Sequence, residues 1–308
     1  TQADRQELAH RLFVIDDQDV PHACTMAHEG GYHPQALPRL SLAELAFERG
    51  GLITLTTLVV YLWVAPEFIV YGDNAELSAL GAIGGTAHPS GYPLYLLWLR
   101  AWSWLPASSP AHAAAMATAI LAALQALVLH AACRAWGARA LAATVAVGVF
   151  AAGPIALRIQ SEAEVFALNG LLCAAVLWLA ATAGPVRGLT RAAVLGLVAG
   201  LGLSNHLTCV LVTPVGILGV VRGLRESKQP AALGIGAAVL GVAIGLVPYL
   251  YLVITPDTWI SWGKISNLPD LVHHFLRLDY GPVGQFSPHG KEVSVGENLL
   301  ALFEVQPN

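Results

Sequence analysis

Charged side chains are scarce in this sequence. Only 12% of the 308 residues are Asp, Glu, Lys or Arg, whereas 56% are hydrophobic. An ordinary soluble domain carries about 25% charged residues, so the composition indicates a membrane protein. The formal net charge is -4 and no dense run of Lys or Arg occurs, which argues against a nucleic-acid partner.

Cysteine is also rare. The four cysteines are widely spaced, and three of them lie in apolar runs: Cys24, Cys133, Cys173 and Cys209. A thiol in such surroundings behaves as a small hydrophobic group. The sequence therefore predicts neither a disulfide framework nor a zinc site.

Long apolar runs separate the few clusters of charge between residues 52 and 256. Most approach the ~20 residues that cross a bilayer, and we expect spans at 52–71, 113–133, 140–157, 165–186 and 230–254. The run 192–221 is too long for one upright helix and too short for two. It therefore predicts a broken pair, made of two short half-helices that turn at Ser204 to Leu207. The predicted fold is an all-α, polytopic transmembrane bundle of about seven spans, one pair being short or broken.

Basic residues predict the orientation of the bundle. Three clusters should share the cytoplasmic side: Arg134 with Arg139, Arg187 with Arg191, and Arg222 with Arg225 and Lys228. The outer side then receives loop 72–111, turn 158–164, the tip at Asn205 and His206, and everything after Thr255. We expect a cytoplasmic segment at 1–50, a transmembrane module at 51–256 and an outer segment at 257–308 that is truncated. Within the outer loop, 94–105 predicts an amphipathic helix at the membrane surface.

The outer loop begins with two acids three residues apart, Asp73 and Glu76. On a helix they would share a face. Such a pair suits a general base with a partner, or part of a divalent-cation site. The alternative is that Asp73 and Glu76 only cap a helix. Local sequence leaves both interpretations open.

Further polar residues at the predicted outer end are candidates for binding a substrate: His88, Tyr92, Arg158, Glu162, Glu164, Asn205, His206 and Lys264. A histidine held by a rigid turn is a plausible donor to a phosphate or hydroxyl, although the turn around His88 is also typical of a simple connection. Arg158 with Glu162 is a structural ion pair or a site for an anionic head group. His206 is either a core residue or a substrate contact at the end of a broken helix.

The order of these motifs along the chain resembles a known family. The segments are GDNAELSALGAIGGTAHPSGYPLY, SEAEVFALNGLL, GLGLSNHLT followed by TP, VPYLYL and SWGKISNLPDLVHHFLRLDYG. They resemble the membrane proteins of domain-of-unknown-function family 2723, in the glycosyltransferase-C superfamily, which include a protein O-mannosyltransferase of plexin-type domains. The resemblance runs from about Gly50 to Gln285. Asn74-Ala75 stands in the middle of the family's usual Gly-Asp-Ser-Gly-Glu motif, and Ser90 replaces the second proline of its usual His-Pro-Pro motif. Neither difference removes a titratable group.

The resemblance implies a membrane glycosyltransferase that takes a hexose, such as mannose, from a polyprenyl-phosphate carrier. The acceptor would be a hydroxyl of an exported protein or glycan on the outer face. Asp73 would be the general base, Glu76 its partner, and a divalent cation is an optional cofactor. We expect a bacterial inner membrane, or the ER membrane of a eukaryote. The alternatives are a transporter or flippase of a lipid-linked or anionic substrate, and a non-enzymatic membrane anchor.

Overall fold

A computed structural model describes residues 49–280 of the chain, and these residues form helices joined by turns and loops, without strands. Most of the predicted cytoplasmic segment 1–50, and residues 281–308 of the predicted outer segment, lie outside the described residues. The α-helices are α1 (Arg49–Val64), α2 (Asn74–Ile83), α3 (Pro93–Trp102), α4 (Pro110–Ala135), α5 (Ala140–Ala152), α6 (Pro154–Ser161), α7 (Phe166–Ala180), α8 (Gly188–Leu203), α9 (Thr213–Ser227), α10 (Ala231–Gly245), α11 (Leu250–Ile254) and α12 (Leu268–Phe275). Short 3-10 helices span Leu207–Val212, Val247–Tyr249 and Leu278–Tyr280.

Length and composition make three of the described helical segments candidate membrane spans. They are Pro110–Ala135, Leu207–Ser227 and Ala231–Ile254, and the bent pair α5 and α6 gives a fourth if it forms one span. Three shorter apolar helices, Gly50–Val64, Phe166–Ala180 and Gly188–Leu203, have 10–17 residues each. The all-helical class is confirmed for the described residues, and seven crossings stay a prediction.

Two of the predicted spans end earlier than expected and one bends. Helix α7 ends at Ala180 rather than at residue 186. Helix α1 stops at Val64 rather than Tyr71, because Pro66 disfavours a helical conformation of the residue before it. The expected span 140–157 bends by 68° between α5 and α6. Pro154 explains the break, since its nitrogen has no hydrogen to donate and its ring clashes with the preceding turn.

The run 192–221 turns where the sequence predicted. Helix α8 ends at Leu203, and Ser204 and His206 flank the turn before the 3-10 helix begins at Leu207. The arms are longer than half-helices, because α8 starts at Gly188 and the second arm continues to Ser227. The broken-pair prediction was therefore right about the turn and wrong about the arms.

The predicted basic clusters lie at one end of the bundle. Arg191 is fully buried and donates to the carbonyl of Ala181 at 2.9 Å. Arg222 donates to the carbonyl of Ala180 and lies 5.7 Å from the ring centroid of Trp136. These contacts join three loops, and they satisfy carbonyls at the C-terminus of α7, where a helix end attracts positive charge.

Glycines let α8 and α10 approach each other closely. Gly196 and Gly200 on α8 face Gly241 and Gly245 on α10, each pair spaced by four residues. A Cβ on Gly241 would lie 2.3 Å from the carbonyl oxygen of Ala193. Small residues at this spacing bring helix backbones together in membranes, which holds the end of α8 that carries the turn.

We expect Gly241→Ala to destabilise the protein by about 1–3 kcal/mol, because the added methyl forces two backbones apart. The measurement is thermal unfolding of the detergent-purified protein. Gly236→Ala is the matched control on the same helix, since its Cβ meets nothing within 4 Å. Equal melting temperatures for the two variants would contradict the packing argument.

Candidate active site

Asp73 stands at the N-cap position of α2 but does not act as a cap. Its side chain makes no capping hydrogen bond, and its φ of -78° with ψ of -1° is already helical. A capping residue normally has extended backbone angles and accepts from the second or third helical N–H. The Asp73 side chain is 55% exposed, so its carboxylate faces outward and is accessible.

Glu76 holds His88 at two points. One carboxylate oxygen accepts the backbone N–H of His88 at 2.8 Å, and the other lies 2.6 Å from its Nδ1. The His88 side chain is only 12% exposed. Burial alone would lower its pKa, but the hydrogen bond and charge of Glu76, with the charge of Asp73, raise the pKa above its usual value.

The predicted acid pair therefore converges on one histidine. Asp73 Oδ2 lies 3.5 Å from His88 Nε2, on the side of the ring opposite Glu76. One ligand atom from each of the three residues lies within 4.8 Å of the others. Carboxylate and imidazole groups at this separation could also hold a divalent cation, which would compete with the present contacts of His88.

Tyr92 extends the cluster toward the turn after α8. Its hydroxyl lies 2.8 Å from His88 Nε2, and its ring stacks on His206 with centroids 5.7 Å apart. Burial raises the pKa of the Tyr92 hydroxyl, so the group stays protonated. Tyr92 has a φ of 45°, which is uncommon outside glycine and aims the ring back across the His88 turn.

Hydrogen bonds to backbone carbonyl groups hold the His88 turn against the bundle. The Tyr249 hydroxyl lies 3.2 Å from the carbonyl oxygens of both Ser90 and Leu203. The backbone N–H of Leu94 donates to the carbonyl of Ser204 at 3.0 Å. These bonds tie the start of α3 to the end of α8, so the two predicted outer segments meet.

The segment after Thr255 covers the same turn from the other side. Trp262 donates its backbone N–H to the carbonyl of Thr86 at 2.9 Å, and His274 Nε2 donates to the carbonyl of Ala87 at 2.9 Å. Gly85 has a φ of 126°, and a Cβ there would lie 2.5 Å from the Ser261 hydroxyl. Only glycine permits this close approach.

Glu164 supplies a third acid near Asp73. It is 8% exposed, and its Oε1 lies 3.4 Å from the position that a Cβ on Gly72 would occupy. Burial, followed by the charges of Asp73 and Glu162, raises the pKa of Glu164 to about 7. Arg158 lies 3.8 Å from Glu162 and its side chain is 69% exposed, as an ion pair at the edge of the site.

The remaining predicted residues lie in different environments. His206 accepts the backbone N–H of Thr208 at 3.3 Å through Nδ1, so the neutral ring carries its proton on Nε2. Burial and the charge of Arg277 lower the His206 pKa. Asn205 is fully buried and donates to the carbonyl of Val165 at 3.1 Å, which positions the turn. Lys264 is exposed.

Sequence reasoning did not select three residues that the structure places around the cluster. Tyr249 and His274 hold the turn, and Arg277 acts through its charge on His88 and Tyr92. Lys264, His273, His274 and Arg277 form a mildly basic pattern in the sequence, typical of a solvated face or of a contact with a lipid phosphate, and this pattern was a signal for the last two. Tyr249 had no such signal, because a tyrosine in an apolar run is more typical of a core.

Two proteins of known designation are similar to most of the chain. Protein O-mannosyl-transferase TMEM260 of Mus musculus is 29% identical over 257 residues, covering 80% of this chain and 36% of the mouse protein. Protein O-mannosyl-transferase tmem260 of Dictyostelium discoideum is 24% identical over 273 residues, covering 82% of this chain and 33% of that protein. The chain thus spans about a third of the length of these curated relatives. No solved structure matches it.

A family model also matches this part of the chain. The model, described as the N-terminal domain of protein O-mannosyl-transferase TMEM260, covers residues 73–230. The match begins at Asp73 and includes Glu76, His88 and Tyr92, as well as the turn that carries His206. The chain therefore belongs to the family of the protein O-mannosyl-transferase TMEM260 N-terminal domain.

Proposed function

We propose that this chain is the membrane part of a glycosyltransferase that transfers a hexose, such as mannose, from a polyprenyl-phosphate carrier. The acceptor is a hydroxyl of an exported protein or glycan on the outer face. Family membership supports the reaction class, because both matched relatives are named protein O-mannosyl-transferases.

One observation carries the proposal for the site. Asp73 stands at a helix start, makes no capping bond and is 55% exposed, beside a histidine that Glu76 holds at two points. A carboxylate that only stabilised the helix would accept an N–H of its first turn. An accessible carboxylate beside a raised-pKa histidine instead suits proton transfer.

In the proposed reaction, Asp73 accepts the proton of the acceptor hydroxyl. The hydroxyl oxygen attacks the anomeric carbon of the sugar, and the bond from that carbon to the phosphate oxygen breaks. The phosphate leaves with the bonding electron pair, and the configuration inverts. Glu76 keeps His88 in place and favours its protonated form.

Donating and positive groups would bind the donor phosphate. Protonated His88 and the Nε2–H of His206 lie on either side of Tyr92, and groups placed before reaction stabilise developing negative charge. Arg158 and Lys264 are exposed at the rim and would attract the anionic donor from the membrane surface.

The proposed architecture is the glycosyltransferase-C type. Counting the bent pair once, the three long and three shorter apolar helices supply seven segments for seven crossings. The three basic clusters would lie in the cytoplasm and the cluster around His88 in the periplasm or ER lumen. We propose a bacterial inner membrane as the location.

Asp73→Asn should lower sugar transfer by about 10²- to 10⁴-fold, because the amide cannot accept the acceptor proton. The assay follows transfer from radiolabelled polyprenyl-phosphate-mannose by the full-length protein in detergent. Full activity of the variant would eliminate Asp73 as the base.

Asp257→Asn is the matched control for this assay. Asp257 is exposed and follows α11 in the segment that leads to the site. It should transfer sugar at the wild-type rate. A similar loss in both variants would point to a general effect of charge at this end of the protein.

A divalent cation is the alternative use of Asp73, Glu76 and His88. The proposed proton transfer needs no metal, so EDTA should leave the transfer rate unchanged. Loss of transfer in EDTA with recovery on adding Mn²⁺ or Mg²⁺ would assign these residues to a metal site.

Glu164 predicts a pH dependence of stability. Its pKa is about 7 in the folded protein, above the usual 4.5 of a glutamate, so the folded protein binds the proton more tightly. Its stabilising effect is complete below pH ~4.5 and is lost as the pH rises through ~7. In the wild type, we expect the free energy of unfolding to fall by about 1–2 kcal/mol over this pH range, after allowance for screening by solvent. Glu164→Gln should abolish this fall.

The measurement compares thermal unfolding of the wild type and Glu164→Gln between pH 4.5 and 8. Glu67→Gln makes the same chemical change at an exposed position and controls for loss of a carboxylate. A Glu164→Gln profile parallel to that of the wild type would show that Glu164 does not titrate in this range.

A further inference from the structure

Helix α12 is docked directly on the turn that carries His88. The buried His274 on this helix donates to the carbonyl of Ala87 at 2.9 Å. A Cβ on Gly91 would lie 2.7 Å from Leu252 and 3.1 Å from the His274 ring. The last turn of α12 is therefore packed against the site with no room between them.

Arg277 follows this docked turn at the rim of the site. Its backbone N–H donates to the carbonyl of His274 at 3.1 Å, and its φ is 58°. A left-handed conformation is uncommon for a residue with a side chain, so the surrounding structure determines this placement. The guanidinium carbon lies 5.0 Å from the Tyr280 ring centroid.

A chain of aromatic contacts connects Arg277 to the catalytic cluster. The Tyr280 ring lies 6.2 Å from the Trp262 ring, and Trp262 lies 6.2 Å from the ring of His88. The charge of Arg277 opposes the rise in the pKa values of His88 and Tyr92, and together with burial it lowers the pKa of His206. Three side chains from two separate segments thus experience this one positive charge.

The other predicted cations are less suited to this position. The Arg158 side chain is 69% exposed and pairs with Glu162 at 3.8 Å, while Lys264 is exposed. Arg277 is partly buried. Desolvation strengthens an electrostatic interaction, so a partly buried guanidinium contributes more to anion binding than a solvated one.

Apolar residues on α12 and directly after it are exposed beside Arg277. Leu268, Val272 and Leu276 follow one another at intervals of four residues and are 69%, 45% and 53% exposed. Residues four apart share a helix face. This face is exposed, whereas His274 on the same helix is buried. An exposed apolar face of this kind is typical of helices in the membrane interface, which is also where the phosphate of a lipid is found.

We propose that Arg277 binds the phosphate of the lipid-linked sugar donor. Its planar guanidinium can donate two parallel hydrogen bonds to phosphate oxygens, and the Tyr280 ring keeps it oriented. This inference rests on the proposed function, since it identifies the group that holds the leaving phosphate.

The test measures binding rather than transfer. Full-length protein in nanodiscs is titrated with undecaprenyl phosphate, undecaprenol or inorganic phosphate, using wild type, Arg277→Gln, Arg277→Lys and Arg225→Gln. Arg225 is exposed on α9, so its variant is the matched loss of an arginine away from the site. We expect Arg277→Gln to weaken undecaprenyl phosphate binding by about 10- to 100-fold.

The other arms give distinct results. Undecaprenol should bind Arg277→Gln as it binds wild type, Arg277→Lys should be intermediate, and Arg225→Gln should equal wild type. Undecaprenyl phosphate binding by Arg277→Gln within twofold of wild type would overturn the inference and leave the proposed function standing. An equal loss of undecaprenol binding would also overturn it, because Arg277 would then support the fold.

Failure of the proposed function has a different signature. If wild type binds none of the three probes, the polyprenyl-phosphate donor itself is wrong. Inorganic phosphate that binds as tightly as undecaprenyl phosphate would identify a site for free phosphate and overturn the assignment to a lipid donor.

Discussion

The arrangement of the candidate site depends on the two-point contact between Glu76 and His88. One carboxylate binds both the backbone N–H and the imidazole of the same residue, so it sets the position of the turn and the protonation of the ring together. A carboxylate hydrogen-bonded to a histidine in this way stabilises the protonated imidazole. The Asp73 carboxylate and the Tyr92 hydroxyl both reach the other ring nitrogen.

Hydrogen bonds from distant parts of the protein hold the loop that carries His88 in place. Three successive parts of the loop offer backbone carbonyls to distant residues: Thr86 to Trp262, Ala87 to His274 and Ser90 to Tyr249. A loop rich in glycine and proline has little secondary structure of its own to satisfy these groups. Donors from the helix bundle and from the segment after Thr255 do so instead, and they bring separate outer segments to one place.

Much of the architecture followed from apolar run lengths and from the distribution of arginine. The three basic clusters meet at one end and the turn at Ser204 lies where the sequence indicated. Helix ends were less predictable, because hydrophobicity continues past Val64 and across Pro154 while backbone geometry does not. Conformational limits of proline residues, rather than composition, determined those boundaries.

The amino-acid sequence by itself determined the helical class, the family, and the identity of Asp73, Glu76 and His88 as candidates. It left open whether the acids cap a helix, since a capping aspartate and a catalytic one look alike in a single chain. Tertiary structure decided which contacts the acids make: Glu76 reaches His88, twelve residues away, and Asp73 makes no capping bond. It also brought Arg277 to the rim, because contacts between segments far apart in sequence depend on packing that no local pattern encodes.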